Sequence, residues 1–250
     1  MRIFKRIAIV ITALVIIFTA FFGYYGIRSL SETRVMEPAD TGEIIDGIYS
    51  LKDNSQNMYV IEGTDGTDGY IAVDSAMNPS IIKRELGKLQ IPADKVKAIL
   101  LTHTDGDHTG SIGLFENANV YISDAEEQMI NGKTIRTMFV LKNKLDHQYD
   151  LLKDEQTIEL AGLKVRCVLT PGHTPGSMAY IVNDKYLFTG DTFRLEDGKA
   201  AIFNEFFNMD SKEELKSIEK LSGLQGIEGI FTGHYGYSDD FVTAFKDIDK

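Results

Sequence analysis

Disulfide bonding is excluded at the outset. The 250 residues contain a single cysteine, Cys167, so no intrachain disulfide can form. In "LKVRCVL" Cys167 alternates with Leu163, Val165 and Leu169, which places it on the buried face of a strand as an inert core thiol. There is no internal repeat and no low-complexity segment. Basic residues are scarce beyond residue 30, where 22 Lys and Arg face 37 Asp and Glu, a formal charge of −15. Such a surface repels nucleic acid and anionic lipid, so nucleic-acid partners are not expected.

The first 30 residues have the opposite shortage, with four basic residues and no acidic ones. From Ile7 to Ile27 no residue is charged: "IAIVITALVIIFTAFFGYYGI". A helix crosses a bilayer with roughly 20 apolar residues. A cleaved secretory signal has a shorter apolar core and small residues at its cleavage site. "TAFFGYYG" never places small residues at both required positions, and no cysteine is nearby for lipid attachment. The expected organisation is a basic segment at 1–6, an uncleaved transmembrane signal anchor at 7–27, a polar tether at 28–42 and one large domain at 43–250. Arg2, Lys5 and Arg6 precede the span, whereas Arg28 and Arg34 beyond it are accompanied by Glu32, Glu37 and Asp40. The positive-inside tendency then puts the domain on the extracytoplasmic side of the cell membrane, as a single-pass protein. Phe21, Phe22, Tyr24 and Tyr25 fall where an interfacial aromatic belt lies.

From Glu43 onwards the texture is α/β. "IIDGIYSLK", "NMYVIEG" and "GYIAVDS" are short β-rich runs between turns and predict a meander of three strands. "NPSIIKRELGKLQ" predicts a helix with Asn78 as cap and Pro79 at its first position. "KVKAILLT" and "NVYIS" predict buried strands, and "DAEEQMI" a short helix. "QTIEL" with "LKVRCVL", and "SMAYIV" with "KYLFT", predict two hairpins. "SKEELKSIEKLSG" predicts a helix with Ser211 and Glu214 as a capping box, Leu215, Ile218 and Leu221 along one face, and Gly223 as its stop. "IEGIFTG" predicts a last strand and "SDDFVTAFKDI" a closing helix. Residues 131–150 and 192–209 fit no such pattern. The second of these is rich in aromatics (Phe193, Phe203, Phe206, Phe207), which suits either a binding loop or a cap on the core.

Four of the five histidines lie in Gly-flanked segments at the ends of predicted strands. His103 and His108 follow "AILLT" in "THTDGDHTG", His173 is in "TPGHTPGS" after "VRCVL", and His234 is in "TGHYG" after "EGIF". Asp191 holds the equivalent place in "TGDTF". His147 lies elsewhere and is expected at the surface. Imidazole and carboxylate groups converging from several strand ends are what a transition-metal site needs.

These residues resemble the signature of the metallo-β-lactamase superfamily, HxHxDH followed by a later His, an Asp and a final His. The matching positions are His103, Asp105, Asp107, His108, His173, Asp191 and His234, in order, over the stretch from about Glu43 to the C-terminus. Asp74 in "IAVDSA" matches a supporting Asp found on an early strand of that family. The resemblance implies a four-layer αββα sandwich. It also implies two divalent metal ions, expected to be zinc, with iron or manganese the alternatives. His103, Asp105 and His173 would form the first metal site, Asp107, His108 and His234 the second, and Asp191 would bridge them. A pair of such cations lowers the pKa of a shared water toward neutrality and polarises a carbonyl or phosphoryl oxygen. Asp107 would be the catalytic residue, orienting the nucleophile or taking its proton.

Asp105 departs from the family pattern, which has a histidine there. A carboxylate adds negative charge and hardens the ligand set. It is compatible with a normal two-zinc site, with a weakened first site, or with iron or manganese. The flavo-di-iron oxygen reductases, which this pattern also resembles, place a Glu at that position, but this chain has no flavodoxin segment. Asp191, rather than cysteine, in the bridging position makes the chain most similar to the glyoxalase II and lactonase branch. The expected function is a membrane-anchored hydrolase of a small ester, thioester, lactone or lactam. The alternatives are a non-haem iron oxidoreductase and a non-catalytic metal-binding module.

Overall fold

In the computed structural model, residues 2–45, 47–64, 66, 69–136 and 143–248 are described. The chain divides into two units, Met1–Met36 and Glu37–Lys250. The first is one helix, α1 (Arg2–Thr33), long and apolar enough to cross a membrane. It extends through residues 28–33, which the sequence suggests are tether. An Arg28–Glu32 pair one turn apart, at 2.6 Å, supports that last part of the helix.

The second unit is built on two sheets. The first holds β1 (Gly42–Ile45), β2 (Ile48–Asp53), β3 (Gln56–Glu62), β4 (Tyr70–Val73), β5 (Val96–Leu100), β6 (Asn119–Ser123) and β7 (Tyr149–Leu152), in that spatial order. β1 to β4 pair antiparallel, and β4 to β7 pair parallel. The expected meander therefore has four strands. Gly47, at φ +76°, turns the chain back within the run that the sequence suggests is one strand.

Helix α2 (Pro79–Leu89) crosses between β4 and β5, and Asn78 caps it by accepting from the amides of Ser80 and Ile81. One-turn helices α3 (Gly106–Thr109) and α4 (Glu127–Ile130) follow β5 and β6. The second sheet combines β8 (Thr157–Leu160), β9 (Leu163–Leu169), β10 (Met178–Val182), β11 (Tyr186–Gly190), β14 (Gly229–Thr232) and β15 (Tyr237–Ser238). Residues 192–209 contain a small separate hairpin that the sequence pattern does not reveal, β12 (Arg194–Glu196) with β13 (Lys199–Ala201). Helices α5 (Ser211–Ser222) and α6 (Phe241–Phe245) complete the unit, the latter shorter than its sequence pattern predicts.

Three buried clusters define the layers. Ile48, Tyr59, Ile71 and Leu100 of the first sheet meet Val165, Cys167, Tyr180, Phe188 and Phe231 of the second. The other face of the first sheet, with Val60, Ala72 and Ile99, packs on Ile82 and Leu86 of α2. The other face of the second, with Val168, Ala179 and Leu187, packs on Ile218 and Leu221 of α5 and on Phe245 of α6. The order is helix, sheet, sheet, helix, the expected four-layer αββα sandwich. Cys167 lies in the central layer, where burial pushes its thiol up to about 12.

Two features of α5 correct the sequence expectation. Its cap is Asp210, which accepts from the amides of Lys212 and Glu213, not Ser211. Glu214 is freed from a capping role and is buried with Ser217, Ile218 and Leu221, whereas Leu215 faces outward.

Candidate metal centre

Strand polarity gathers the candidate residues. β9 and β11 are both antiparallel to β10, and β14 is parallel to β11, so these three strands end on one edge of their sheet. β4 and β5 are likewise parallel in the other sheet. Asp74 follows β4, the 101–108 loop follows β5, His173 follows β9, Asp191 follows β11 and His234 follows β14. The two edges are joined where the Met178 amide donates to the Thr102 carbonyl at 2.8 Å. At Gly190, φ is +51° and a Cβ would lie 2.3 Å from Thr102 Oγ1, so only glycine lets Asp191 follow so closely.

All seven expected site residues converge. Asp191 Oδ2 lies 3.9, 3.5, 3.5 and 3.4 Å from Nε2 of His103, His108, His173 and His234 respectively. Three groups each bring their ligand atoms within 4.8 Å of one another. They are His103 with Asp105 and His173, His103 with His108 and Asp191, and Asp107 with His108 and His234. His147 is exposed and lies outside them, as expected.

The far side of each imidazole determines what its near side can do. His103 Nδ1 faces Thr102 Oγ1 at 3.1 Å, and that hydroxyl donates its own hydrogen to Asp74. His108 Nδ1 donates to Asp74 Oδ2 at 2.8 Å, and His234 Nδ1 to the Ser55 carbonyl at 2.7 Å. His173 Nδ1 faces the Asn208 amide oxygen at 3.2 Å. Every Nδ1 meets an acceptor, so each neutral ring turns its Nε2 lone pair into the pocket. Among the described residues, Nε2 of His103, Nε2 of His108 and Oδ1 of Asp191 are buried with no hydrogen-bond partner. Unsatisfied buried polar atoms gathered in one cluster fit a bound cation.

The carboxylates of the cluster demand positive charge, which a proton on an imidazole or a bound cation can supply. Burial disfavours an imidazolium, yet Asp74, Asp191 and Asp107 outweigh it and hold His108 well above its usual range. The same competition raises His234 to about 10. Burial also opposes ionisation of Asp191, but His234 and His108 keep it well below the carboxylate range. Asp107 is held at about 2, with His108 and His234 overcoming its burial. Its side chain is 35 % exposed, the most open of the set, at the mouth of the pocket. His173 behaves differently: burial and the Arg136 guanidinium push it down to about 4.

Several residues of the centre escape sequence reading. Glu126 is fully buried, and its Oε1 accepts from the amide and hydroxyl of Thr104 while Oε2 accepts from Thr174 Oγ1. It ties the 101–108 loop to the 170–177 loop. Arg136 pairs with Asp105 at 2.5 Å, and Asn143 Nδ2 donates to Asp105 Oδ1 at 3.0 Å. Both belong to the 131–150 stretch, whose residues 137–142 lie outside the described ones. The aromatics of 192–209 divide between the two roles open to them. Phe193 joins the core beside Phe245, while the Phe203 ring lies 5.1 Å from that of His173 and 5.5 Å from that of His234.

A cation-seeking cluster of imidazoles and carboxylates on one edge of an αββα sandwich defines a metal-site protein. The sequence pattern of the metallo-beta-lactamase superfamily matches residues 51–234, and the chain belongs to that superfamily. It is 33 % identical to the probable polyketide biosynthesis zinc-dependent hydrolase PksB of Bacillus subtilis, over 59 % of this chain and 61 % of that one. It is 28 % identical to a hydroxyacylglutathione hydrolase of Glaesserella parasuis, over 55 % of this chain and 50 % of that one. The chain thus spans about half to three fifths of the length of these curated relatives. A metallo-beta-lactamase family protein from Thermus thermophilus superposes with a TM-score of 0.61 at 24 % identity, covering 80 % of this chain and 77 % of that one. A Cronobacter sakazakii metallo-beta-lactamase with a HARLDQ motif gives 0.62 at 20 % identity, covering 81 % of each. These two likenesses concern the fold.

Proposed function

We propose that this chain is a membrane-anchored, zinc-dependent hydrolase of a small ester, thioester, lactone or lactam. The observation that carries the reading is the shared position of Asp191 Oδ2, within 3.9 Å of four imidazole Nε2 atoms whose Nδ1 atoms all meet acceptors. His108, His234 and Asp107 would hold an ion, with Asp191 reaching it from the pocket floor. Imidazole and carboxylate donors with no thiolate suit zinc, and zinc-dependent hydrolase is part of one relative's name. When bound, the metal supplies a Lewis acid and a water acidified toward neutrality.

The protein's own residues do the rest. Asp107, ionised and at the mouth of the pocket, accepts a proton from the attacking water and keeps it oriented. Asp74 and the Ser55 carbonyl fix the imidazole planes of His108 and His234, so no ring has to reorient during reaction. Phe203 walls the pocket, its ring 5.1 Å from that of His173 and 5.5 Å from that of His234, and offers apolar surface suited to an acyl group. The acidic surface disfavours polyanionic substrates. Helix α1 would anchor the chain, with the domain on the extracytoplasmic side following from Arg2, Lys5 and Arg6 ahead of the span.

The test uses the full chain in detergent. Metal content is measured, and hydrolysis is followed on a panel of acyl thioesters, lactones and β-lactams. We expect zinc, activity lost on chelation and restored by zinc, and a drop of at least about 10²-fold in Asp107→Ala. Hydrolysis that survives complete metal removal, or the double replacement of Asp107 and His108 by Ala, would falsify the proposal. Stoichiometric iron with oxygen consumption would replace it by an oxidoreductase.

A further inference from the structure

The first triad already contains a cation. The Arg136 side chain is only 11 % exposed. Its Nε donates to Asp105 Oδ1 at 3.1 Å and its Nη2 to Asp105 Oδ2 at 2.5 Å, a two-pronged ion pair. Nη2 also donates to His173 Nε2 at 2.9 Å, and Nη1 donates to the Phe207 carbonyl. Asn143 Nδ2 bridges Asp105 Oδ1 and Thr104 Oγ1, at 3.0 Å from each.

His173 Nε2 is the deciding atom. With the Nδ1 hydrogen directed at Asn208, Nε2 has one in-plane lone pair. That lone pair can accept a guanidinium hydrogen or bind a metal ion, and here it accepts the hydrogen. Asp105 Oδ2, which a first-site ion would also need, is occupied by the same nitrogen. The second triad differs. Among the described residues, the ion pairs of Asp107 and Asp191 are made with imidazoles alone, whereas Asp105 is held by a guanidinium; an imidazole Nε2 without a partner is found in both triads, on His103 and on His108. Among the described residues, no permanent cation pairs with these two carboxylates.

The exchange also accounts for the carboxylate at position 105. Replacing a neutral imidazole by Asp adds one negative charge, and Arg136, which does not deprotonate, adds one positive charge in contact with it. A metal entering this triad would have to break a part-buried two-pronged pair and leave the guanidinium without its carboxylate, an unfavourable change. We propose that Arg136 is the resident cation of the first triad, so that the chain takes up a single metal ion, at Asp107, His108 and His234 with Asp191. Arg136 is then a positioning residue that acts through Asp105 and His173. This inference rests on the proposed reading of the centre as metal-binding.

The test counts ions on the full chain in detergent, stripped with a chelator and then titrated with zinc alone by calorimetry. Metal per chain is checked by elemental analysis. The wild type should bind one ion, Arg136→Lys should also bind one, and Arg136→Ala should bind two. Cobalt replacing zinc gives a readout on the wild type that needs no variant: the spin-resonance signal of an isolated ion is expected, and a coupled pair overturns the inference. Two ions in the wild type overturn it while leaving the hydrolase reading intact. One ion in both the wild type and Arg136→Ala removes Arg136 as the reason. No ion in the wild type defeats this inference and the metal-dependent reading together.

Discussion

Asp74 Oδ2 lies 2.8 Å from Nδ1 of His108, and the same carboxylate accepts the amide and hydroxyl of Thr102. One side chain thereby fixes an imidazole directly and a second, His103, through the threonine. The backbone at Asp74 adopts φ +59°, a conformation that costs a non-glycine residue energy and persists when its surroundings impose it. Asp74→Asn keeps the shape but weakens the acceptor facing His108 and removes the charge. Partners of this kind contribute about 10- to 100-fold in metal affinity. Zinc titration of Asp74→Asn should show a loss of that size with a near-normal circular dichroism spectrum.

Glu126 holds two loops that approach from different sheets. Thr104 comes from the first and Thr174 from the second, and both spend their hydroxyls on this one buried carboxylate. Packing around it is tight, since a Cβ on Gly176 would lie 2.1 Å from the Glu126 amide nitrogen. Glu126→Ala leaves the Thr104 amide and the Thr104 hydroxyl hydrogen without their acceptor, while Thr174 Oγ1 keeps Ser177 Oγ. Each stranded buried group costs about 1–3 kcal/mol, so urea unfolding should report a loss on the order of 3 kcal/mol or more. Glu126→Gln, which still accepts, should lose less than half of that.

Much of the centre was legible because its residues sit where hydrophobic runs stop. His103, His173, Asp191 and His234 each follow an apolar strand by one to four positions, and parallel or alternating strands bring such ends together. Arg136 and Asn143 were not legible. They lie in a stretch with no periodicity, and a guanidinium reaching back to Asp105 leaves no trace in spacing. Glu214 departs from its sequence pattern for a different reason. Ser211 and Glu214 match a capping box, but Asp210 one residue earlier is the stronger cap and takes the first free amides. That shift turns Glu214 inward. The hairpin of β12 and β13 was hidden because its strands have three residues each, too short for alternation to register.

Removing the metal should loosen the domain without unfolding it outright. The three buried clusters supply the core independently of the ion, but Asp107 and Asp191 then face each other with only imidazoles between them. An ion that binds only the native state stabilises it by about 4 kcal/mol when present at a thousand times its dissociation constant. Thermal melts of chelator-treated protein should therefore rise steadily with added zinc. The gain should vanish in the variant lacking both Asp107 and His108. A zinc-dependent shift that persists in that double variant would place the ion elsewhere.

Glu214 should impose a pH dependence of its own on stability. Burial raises its carboxyl from 4.5 to about 8, against the bonds it accepts from the Phe203 amide and Asn208. Its Oε1 has no partner, as suits an oxygen that carries a proton at neutral pH. The folded state keeps that proton up to about pH 8, whereas the unfolded chain releases it near 4.5. Stabilisation from this group is complete below the unfolded value and is lost as pH rises toward the folded one. The slope is about 1.4 kcal/mol per pH unit across the window. Glu214→Gln resembles the protonated form at every pH. The difference in unfolding free energy between Glu214→Gln and wild type should grow in favour of the variant from about pH 5 to pH 8 and then level off. A difference that stays flat over that range would mean that Glu214 is ionised in the fold, with its charge balanced by a partner.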